Sequence, residues 1–196
     1  MKLHPLVEAA ARGELPPWAR AEESRREHMA RVAGLMEAWA RGLGLDVPEV
    51  TRWRAAAFLH DVLRDAPVKE LEAQAPPEFR RLEGRILHGP VAARRLREVE
   101  GVADQPLLDA VAFHTLGHPE FGELGRALFA ADFLDPGRPE DDGWRQSLRE
   151  RMPDERGAVA RAVLRARIGH SLEVERLLRP ETVAYWNVLV EEAGRG

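Results

Sequence analysis

The sequence consists almost entirely of helix-favouring segments separated by short breaks. Ala, Leu, Arg and Glu dominate these segments, and no stretch alternates between apolar and polar residues as a half-buried strand does. Gly, Pro and Asp interrupt the pattern at 42–48, at Gly101 and at 135–137. The pattern predicts an all-α, single-domain bundle over residues 1–196, with helices near 5–12, 17–43, 49–63, 68–75, 88–99, 106–115, 121–134, 143–151, 155–177 and 180–193.

Composition restricts the chemistry that such a bundle can carry. The chain has no cysteine, which excludes thiol catalysis and leaves His, Asp and Glu as the strong metal donors. A formal net charge of -4 provides no overall basic field for nucleic acid. The longest apolar run, 55–59, is far shorter than the roughly 18 residues of a membrane span, and no signal peptide is visible. We therefore expect a soluble, cytoplasmic protein without nucleic-acid or membrane partners.

Histidine and aspartate residues lie on or beside the apolar faces of several predicted helices. His28 shares a helical stripe with Val32 and Trp39, and His114 shares one with Leu107 and Val111. Taken singly, each is explained by a hydrogen-bonded core histidine or a helix-capping aspartate. Taken together, two buried carboxylates without partners would cost several kcal/mol, a cost that a divalent cation removes. The predicted ligands of one or two metal ions are His28, His60, Asp61, His88, His114 and Asp132.

The order of these residues is similar to that of a known superfamily. His28, the pair His60-Asp61 and the distal Asp132 resemble the signature of the HD-domain superfamily, an all-helical group of metal-dependent phosphohydrolases. With His88 and His114 added, the series resembles the six-ligand, two-metal branch of that superfamily. The resemblance implies that Asp61 bridges two ions, with iron as the metal and manganese as a competent substitute.

A narrower resemblance rests on the segments around the ligands. Residues 86–89, 113–117 and 131–138, and the C-terminal segment 180–182 followed by Asn187, are similar to the bacterial symmetrical bis(5'-nucleosyl)-tetraphosphatases of the YqeK type. The motif-bearing core covers about 24–138, and helices in 155–193 complete the bundle. The resemblance implies hydrolysis of a dinucleoside polyphosphate, diadenosine tetraphosphate, at its centre to two ADP by a metal-activated water.

Residues that follow the ligands are candidates for binding the phosphates. Arg64 lies three positions past Asp61, where the tetraphosphatases commonly have a lysine, and we predict that both residues act in catalysis. Arginine keeps the positive charge but is not equivalent to lysine, and an ordinary surface charge is the alternative for Arg64. The glutamate that usually precedes Pro136 is replaced by Asp135. The predicted substrate-binding residues are Arg64, Thr115, His118 and Arg138, and a loop histidine without a ligand is the alternative for His118.

Three other functions are compatible with the sequence. The six ligands alone also suit another HD-type phosphohydrolase, such as a nucleoside monophosphatase or a cyclic-nucleotide phosphodiesterase. A metal-containing nucleotide sensor without turnover is the second alternative, and a structural helical module without metal is the third. Phe121, Phe129 and Phe133 have helical spacing, which favours core packing over base stacking. A monomer and a homodimer are both compatible with the sequence.

Overall fold

The structure is a computed structural model that describes residues 2–82, 84–138 and 143–195. These residues form ten α-helices and contain no strand, which confirms the all-helical prediction. Two 3-10 helices, Pro77–Phe79 and Gly84–Leu87, lie between the fourth and fifth α-helices. The helices are α1 (Pro5–Ala11), α2 (Glu23–Gly42), α3 (Val47–Leu59), α4 (Val68–Gln74), α5 (His88–Glu98), α6 (Gln105–Phe113), α7 (Glu123–Phe133), α8 (Gly143–Glu150), α9 (Arg156–Glu173) and α10 (Pro180–Gly194).

Side-chain caps and prolines set where the central helices begin. Asp46 precedes α3 and accepts a hydrogen bond from the Glu49 N–H at 3.0 Å. Asp104 precedes α6 and accepts one from the Leu107 N–H at 3.1 Å. Both helices carry proline in their first turn, where its missing N–H costs nothing. Local sequence chemistry therefore determines the start of two helices that end at candidate ligands.

The start of α2 differs from the sequence-based expectation. The helix begins at Glu23 rather than near residue 17. The preceding segment is held in a non-helical conformation because the Arg20 N–H donates to the Val62 carbonyl at 2.8 Å and the Arg20 carbonyl accepts from the Asp65 N–H at 3.1 Å. This segment is therefore fixed against the turn that follows α3.

The core lies between α1, α2, α3, α5, α6, α7, α9 and α10, which pack in neighbouring pairs such as α2 with α3, α5 with α6 and α9 with α10. Trp53 of α3, Phe129 of α7 and Tyr185 of α10 are among its largest fully buried side chains. Across the described ranges, no helix combines the length with the apolarity that crossing a bilayer demands. The apolar faces of these helices meet in one core. The buried polar residues of the helices, among them His28, His114 and Asp132, therefore lie close to one another.

Helices α5 and α6 approach each other closely at Gly89. A Cβ atom on Gly89 would lie 2.6 Å from the carbonyl oxygen of Val111 and 3.2 Å from Cε1 of His114. Glycine has no side chain, so the first turn of α5 can rest directly on the end of α6. The contact brings His88 beside His114, with their Nε2 atoms 3.0 Å apart.

We expect Gly89→Ala to destabilise the protein by about 1–3 kcal/mol, because the new methyl group would press on backbone that must move. Denaturant unfolding measures the change. Gly34→Ala is the matched control, since Gly34 is an exposed α2 residue with nothing within 4 Å of its built Cβ. The free energy of unfolding of Gly34→Ala should increase by about 0.5–1 kcal/mol, because alanine is favoured over glycine inside a helix. Equal stability of Gly89→Ala and the unmodified protein would contradict the close helix contact.

Candidate metal centre

The six predicted ligands converge in the structure from five helices. His28 lies in α2, His60 ends α3, and Asp61 stands in the turn that follows. His88 begins α5, His114 ends α6, and Asp132 lies in the last turn of α7. Each of the six exposes at most 9% of its surface. Residues far apart in sequence therefore form one buried polar cluster inside an otherwise apolar core.

Asp61 lies at the middle of this cluster, between two groups of histidines. Its Oδ2 atom is 3.4 Å from Nε2 of His60 and 3.7 Å from Nε2 of His28. Its Oδ1 atom is 2.9 Å from Nε2 of His88 and 3.5 Å from Nε2 of His114. One oxygen therefore faces each group, which is the arrangement needed for a carboxylate shared between two metal ions.

Two sets of three ligand atoms are compact enough to surround a cation. The donor atoms of His28, His60 and Asp132 lie within 4.8 Å of one another, and so do those of His60, Asp61 and His114. Within the first set, Nε2 of His28 is 3.3 Å from Oδ1 of Asp132. The two sets share His60 and adjoin at Asp61, so the cluster offers two neighbouring positions for a metal ion.

Hydrogen bonds at Nδ1 turn three of the histidines so that Nε2 points into the cluster. A carbonyl oxygen only accepts, so each Nδ1 carries the hydrogen and each Nε2 presents a lone pair. This is the tautomer of a histidine that binds a metal through Nε2. The acceptors are the carbonyl oxygens of Ala57 for His60 (2.6 Å), Val111 for His114 (2.8 Å) and Arg85 for His88.

His28 is oriented in the same way by a carboxylate, that of Asp135. Nδ1 of His28 lies 2.7 Å from Oδ2 of Asp135, which is buried. Arg31 donates to both oxygens of Asp135 at 2.7 and 3.0 Å, and the Gly137 N–H donates to it at 3.0 Å. In sequence Asp135 is visible only as a departure from the family pattern, whereas in the structure it lies directly behind His28.

Charge is unevenly distributed over the cluster. Burial raises the pKa of the Asp61 carboxyl, but the surrounding histidines, His60 first, hold it well below its usual range. Burial lowers the pKa of His114 to about 4, against the opposing effect of Asp61. Burial also lowers the pKa of His28, yet the carboxylates of Asp132 and Asp135 outweigh it and raise that pKa to about 9. The position at His28 therefore favours a cation, either a proton or a metal ion.

The orphaned nitrogens of the cluster provide a test of whether a metal fits. Nε2 of His28 and Nε2 of His60 are buried and form no well-aligned hydrogen bond with any described residue. A buried polar atom without a partner costs about 1–3 kcal/mol. Coordination would remove this cost, and imidazole with carboxylate suits several divalent transition metals. The residues present therefore fit a divalent metal centre.

Three arginines contact the carboxylates of this cluster. Nη1 of Arg25 is 2.7 Å from Oδ2 of Asp61. Asp132 is approached by Nη2 of Arg138 at 2.9 Å and by Nη2 of Arg167 at 2.8 Å. Sequence analysis named Arg138 alone. Arg25 could have been identified from the sequence, because it lies one helical turn before His28 and so on the same face of the helix. No local pattern connects Arg167 with the site.

The other predicted phosphate-binding residues are placed differently from one another. Oγ1 of Thr115 lies 3.2 Å from Nε2 of His114, at the cluster. Arg64 is half-buried just beyond Asp61, and among the described residues its guanidinium has no hydrogen bond or ion pair. The His118 ring packs on Phe113 with 4.3 Å between centroids, and none of its described contacts is with a ligand. The structure thus brings Thr115 to the cluster but not His118.

The chain belongs to the HD domain family, because the family model for the HD domain matches residues 25–160. HD domains bind divalent metals, and the family is one of phosphohydrolases. Among curated proteins, the chain is similar to the symmetrical bis(5'-nucleosyl)-tetraphosphatase of Halalkalibacterium halodurans, with 31% identity over 107 residues that cover 55% of this chain and 56% of that protein. The protein of the same name from Bacillus subtilis is 30% identical over 88 residues, which cover 42% and 47% of the two chains. The chain spans about half the length of these curated relatives.

A solved structure extends the similarity to the whole fold. It is described as a predicted HD superfamily hydrolase involved in NAD metabolism, from Clostridium acetobutylicum. The two folds superpose with a TM-score of 0.77 over 98% of this chain and 99% of the other, at 21% sequence identity. The expected HD-type bundle is thereby confirmed.

Proposed function

We propose that this protein hydrolyses diadenosine tetraphosphate symmetrically to two molecules of ADP. The observation that supports the proposal most is the position of Asp61, which directs one oxygen at each of two histidine groups. Two-metal sites of this kind favour displacement at phosphorus. The activity in the names of the two curated relatives supports the tetraphosphate as substrate. We further propose iron as the resident metal, with manganese as a substitute.

The arginines near the cluster match a substrate that carries several phosphates. When bound, the metal ions would supply Lewis acidity and an activated water for attack on a phosphorus beside the central bridging oxygen. The P–O bond to that oxygen breaks, one ADP leaves, and the water oxygen completes the second ADP. Positive side chains stabilise the charge that develops on the phosphoryl oxygens. We assign this role to Arg25, Arg64 and Arg138.

The substrate is tested by chromatography of the reaction products. Purified, metal-analysed protein is incubated with diadenosine tetraphosphate and ferrous iron or manganese, and ADP is expected as the only product. ATP together with AMP would contradict symmetrical cleavage. No turnover by protein that holds metal would contradict the substrate, and a panel of nucleoside monophosphates and cyclic nucleotides then identifies the correct one.

Arg64→Ala is expected to lower kcat/KM by at least about tenfold without changing metal content. The Arg64 guanidinium has no ion-pair partner in the part of the chain described, so it is available for a phosphate one turn from Asp61. Steady-state kinetics and metal analysis of the same preparation measure both quantities. Arg64→Lys should retain most of the rate, because it keeps the charge. An unchanged rate in Arg64→Ala would show that Arg64 is a surface charge.

A further inference from the structure

Arg167 reaches the metal centre from α9, beyond residues 25–160 that the family model matches. Its Nη2 atom lies 2.8 Å from Oδ2 of Asp132, and its Nη1 donates to the Thr115 carbonyl oxygen at 3.3 Å. Thr115 directly follows His114. The Arg167 guanidinium therefore connects Asp132, which lies in the ligand set of His28, with the backbone that follows His114, a residue of the other ligand set.

The two oxygens of Asp132 have different partners. Oδ1 faces Nε2 of His28 at 3.3 Å, and Arg138 approaches the same oxygen at 2.9 Å. Oδ2 receives Arg167 at 2.8 Å. Because Arg167 holds Oδ2, the oxygen of Asp132 that lies closest to Nε2 of His28 is Oδ1.

The position of the Arg167 guanidinium is set by packing as well as by charge. It lies over the ring of Phe129 at 4.6 Å and near that of Phe133 at 5.6 Å. Its side chain is only 21% exposed, and its Nε atom is buried without a partner among the residues described. Two aromatic faces and two acceptors leave the guanidinium little freedom to turn towards a ligand.

We propose that Arg167 is a positioning residue of the metal centre. It holds the Asp132 carboxylate so that Oδ1 is directed at the proposed metal position beside His28. It also connects Asp132 with the Thr115 carbonyl group, directly after His114. The inference rests on the metal centre proposed above, and it adds α9 to the elements that build the centre. Lysine cannot replace Arg167 fully, because an ammonium group cannot contact Asp132 and Thr115 in the plane of a fork.

The test compares Arg167→Gln and Arg167→Lys with the matched control Arg165→Gln. Arg165 is an exposed residue of the same helix and has no hydrogen bond or ion pair with any described residue. Manganese binding to chelator-treated protein is measured by calorimetry, and thermal unfolding is followed alongside. Steady-state kinetics on the metal-loaded protein then give kcat and KM.

The unmodified protein and Arg165→Gln are expected to bind manganese with the same stoichiometry and affinity. Arg167→Gln should bind one manganese ion at least about tenfold more weakly, as when a partner of a ligand is removed. Its kcat should fall while KM stays within about twofold, because a positioning residue does not contact substrate. Arg167→Lys should recover only part of the lost affinity, and it serves for the comparison if the Gln variant does not fold.

Three results would overturn the inference. Normal manganese binding with a raised KM would make Arg167 a substrate ligand. Normal binding and kinetics with a lowered melting temperature would make it a structural residue of α9. Failure of the unmodified protein to bind either manganese or ferrous iron would overturn the metal centre itself, which separates that failure from a failure of the role of Arg167.

Discussion

Asp61→Ala is expected to abolish both stoichiometric metal binding and phosphohydrolase activity. Asp61 is the one residue of the described cluster that approaches all four histidines, with an oxygen on each side. Its removal takes a negative charge from both proposed metal positions at once. Metal analysis after dialysis and product formation from diadenosine tetraphosphate measure the two losses.

Asp65→Ala is the matched control for Asp61→Ala. Asp65 lies one turn further along, and its carboxylate accepts a hydrogen bond from the Glu22 N–H at 3.0 Å without contacting a ligand. Full metal content and activity are expected in this variant, apart from a modest loss of stability of about 1 kcal/mol. Retained turnover in Asp61→Ala would contradict the assignment of the metal centre.

The second large effect is expected at Asp135. Asp135→Ala should weaken metal binding by about 10–100-fold, because it removes the group that holds His28 with Nε2 directed at the cluster. Activity at limiting metal should fall in proportion. Asp135→Glu, the residue that the tetraphosphatases commonly have here, should restore a large part of the affinity. Metal titration of the three proteins gives the comparison.

Arg31→Gln distinguishes two effects of Asp135 on metal binding: its hydrogen bond to His28 and its ion pair with Arg31. Arg31 pairs with Asp135 and, among the described residues, forms no hydrogen bond with His28, so this variant keeps the carboxylate in place. Only a small change in metal affinity is expected. If Arg31→Gln and Asp135→Ala weaken binding equally, the ion pair, rather than the hydrogen bond to His28, would be the feature that matters.

The meeting of the six candidate ligands in one cluster could be predicted in part from local pattern and in part from the resemblance to the HD-domain superfamily; their role as metal ligands stays a prediction. His28 and His114 continue apolar stripes of amphipathic helices, and helical periodicity alone shows which face such a residue occupies. The adjacent pair His60-Asp61 stands at a helix end, where a side chain can turn inward. Local periodicity therefore indicated the inward orientation of several of these residues, whereas His88 entered the set through its place in the series that resembles the HD-domain superfamily.

The partners of the ligands depend on tertiary contacts that leave no such pattern. Arg167 meets Asp132 only because α9 packs against α7, and nothing near Arg167 in sequence indicates that meeting. Asp135 could be identified as part of a break, but its hydrogen bond to His28 joins segments more than a hundred residues apart. Such long-range pairs depend on how the bundle closes.

The placement of His118 shows the same limit. It was predicted to bind substrate because it closely follows His114, yet the loop between them is fastened to α10. The Thr182 hydroxyl donates to the Leu116 carbonyl at 2.8 Å, and a Cβ on Gly117, at φ +78°, would overlap the ring of Tyr185. This fixed turn directs His118 onto Phe113 instead. The ring of His118 therefore packs beside Phe113 rather than at the cluster, and substrate binding by His118 stays a prediction.

The six candidate ligands come from five helices, and this affects how the proposed activity can be gained or lost in evolution. The proposed centre needs residues from His28 to Asp132 in one closed bundle, and the entropy of bringing them together is offset by the apolar core rather than by the ions. No single hairpin or helix pair of this chain contains the full set. The metal centre should therefore form and be lost together with the cooperative folding transition. Recombination that exchanges one of the five helices would abolish the proposed activity completely.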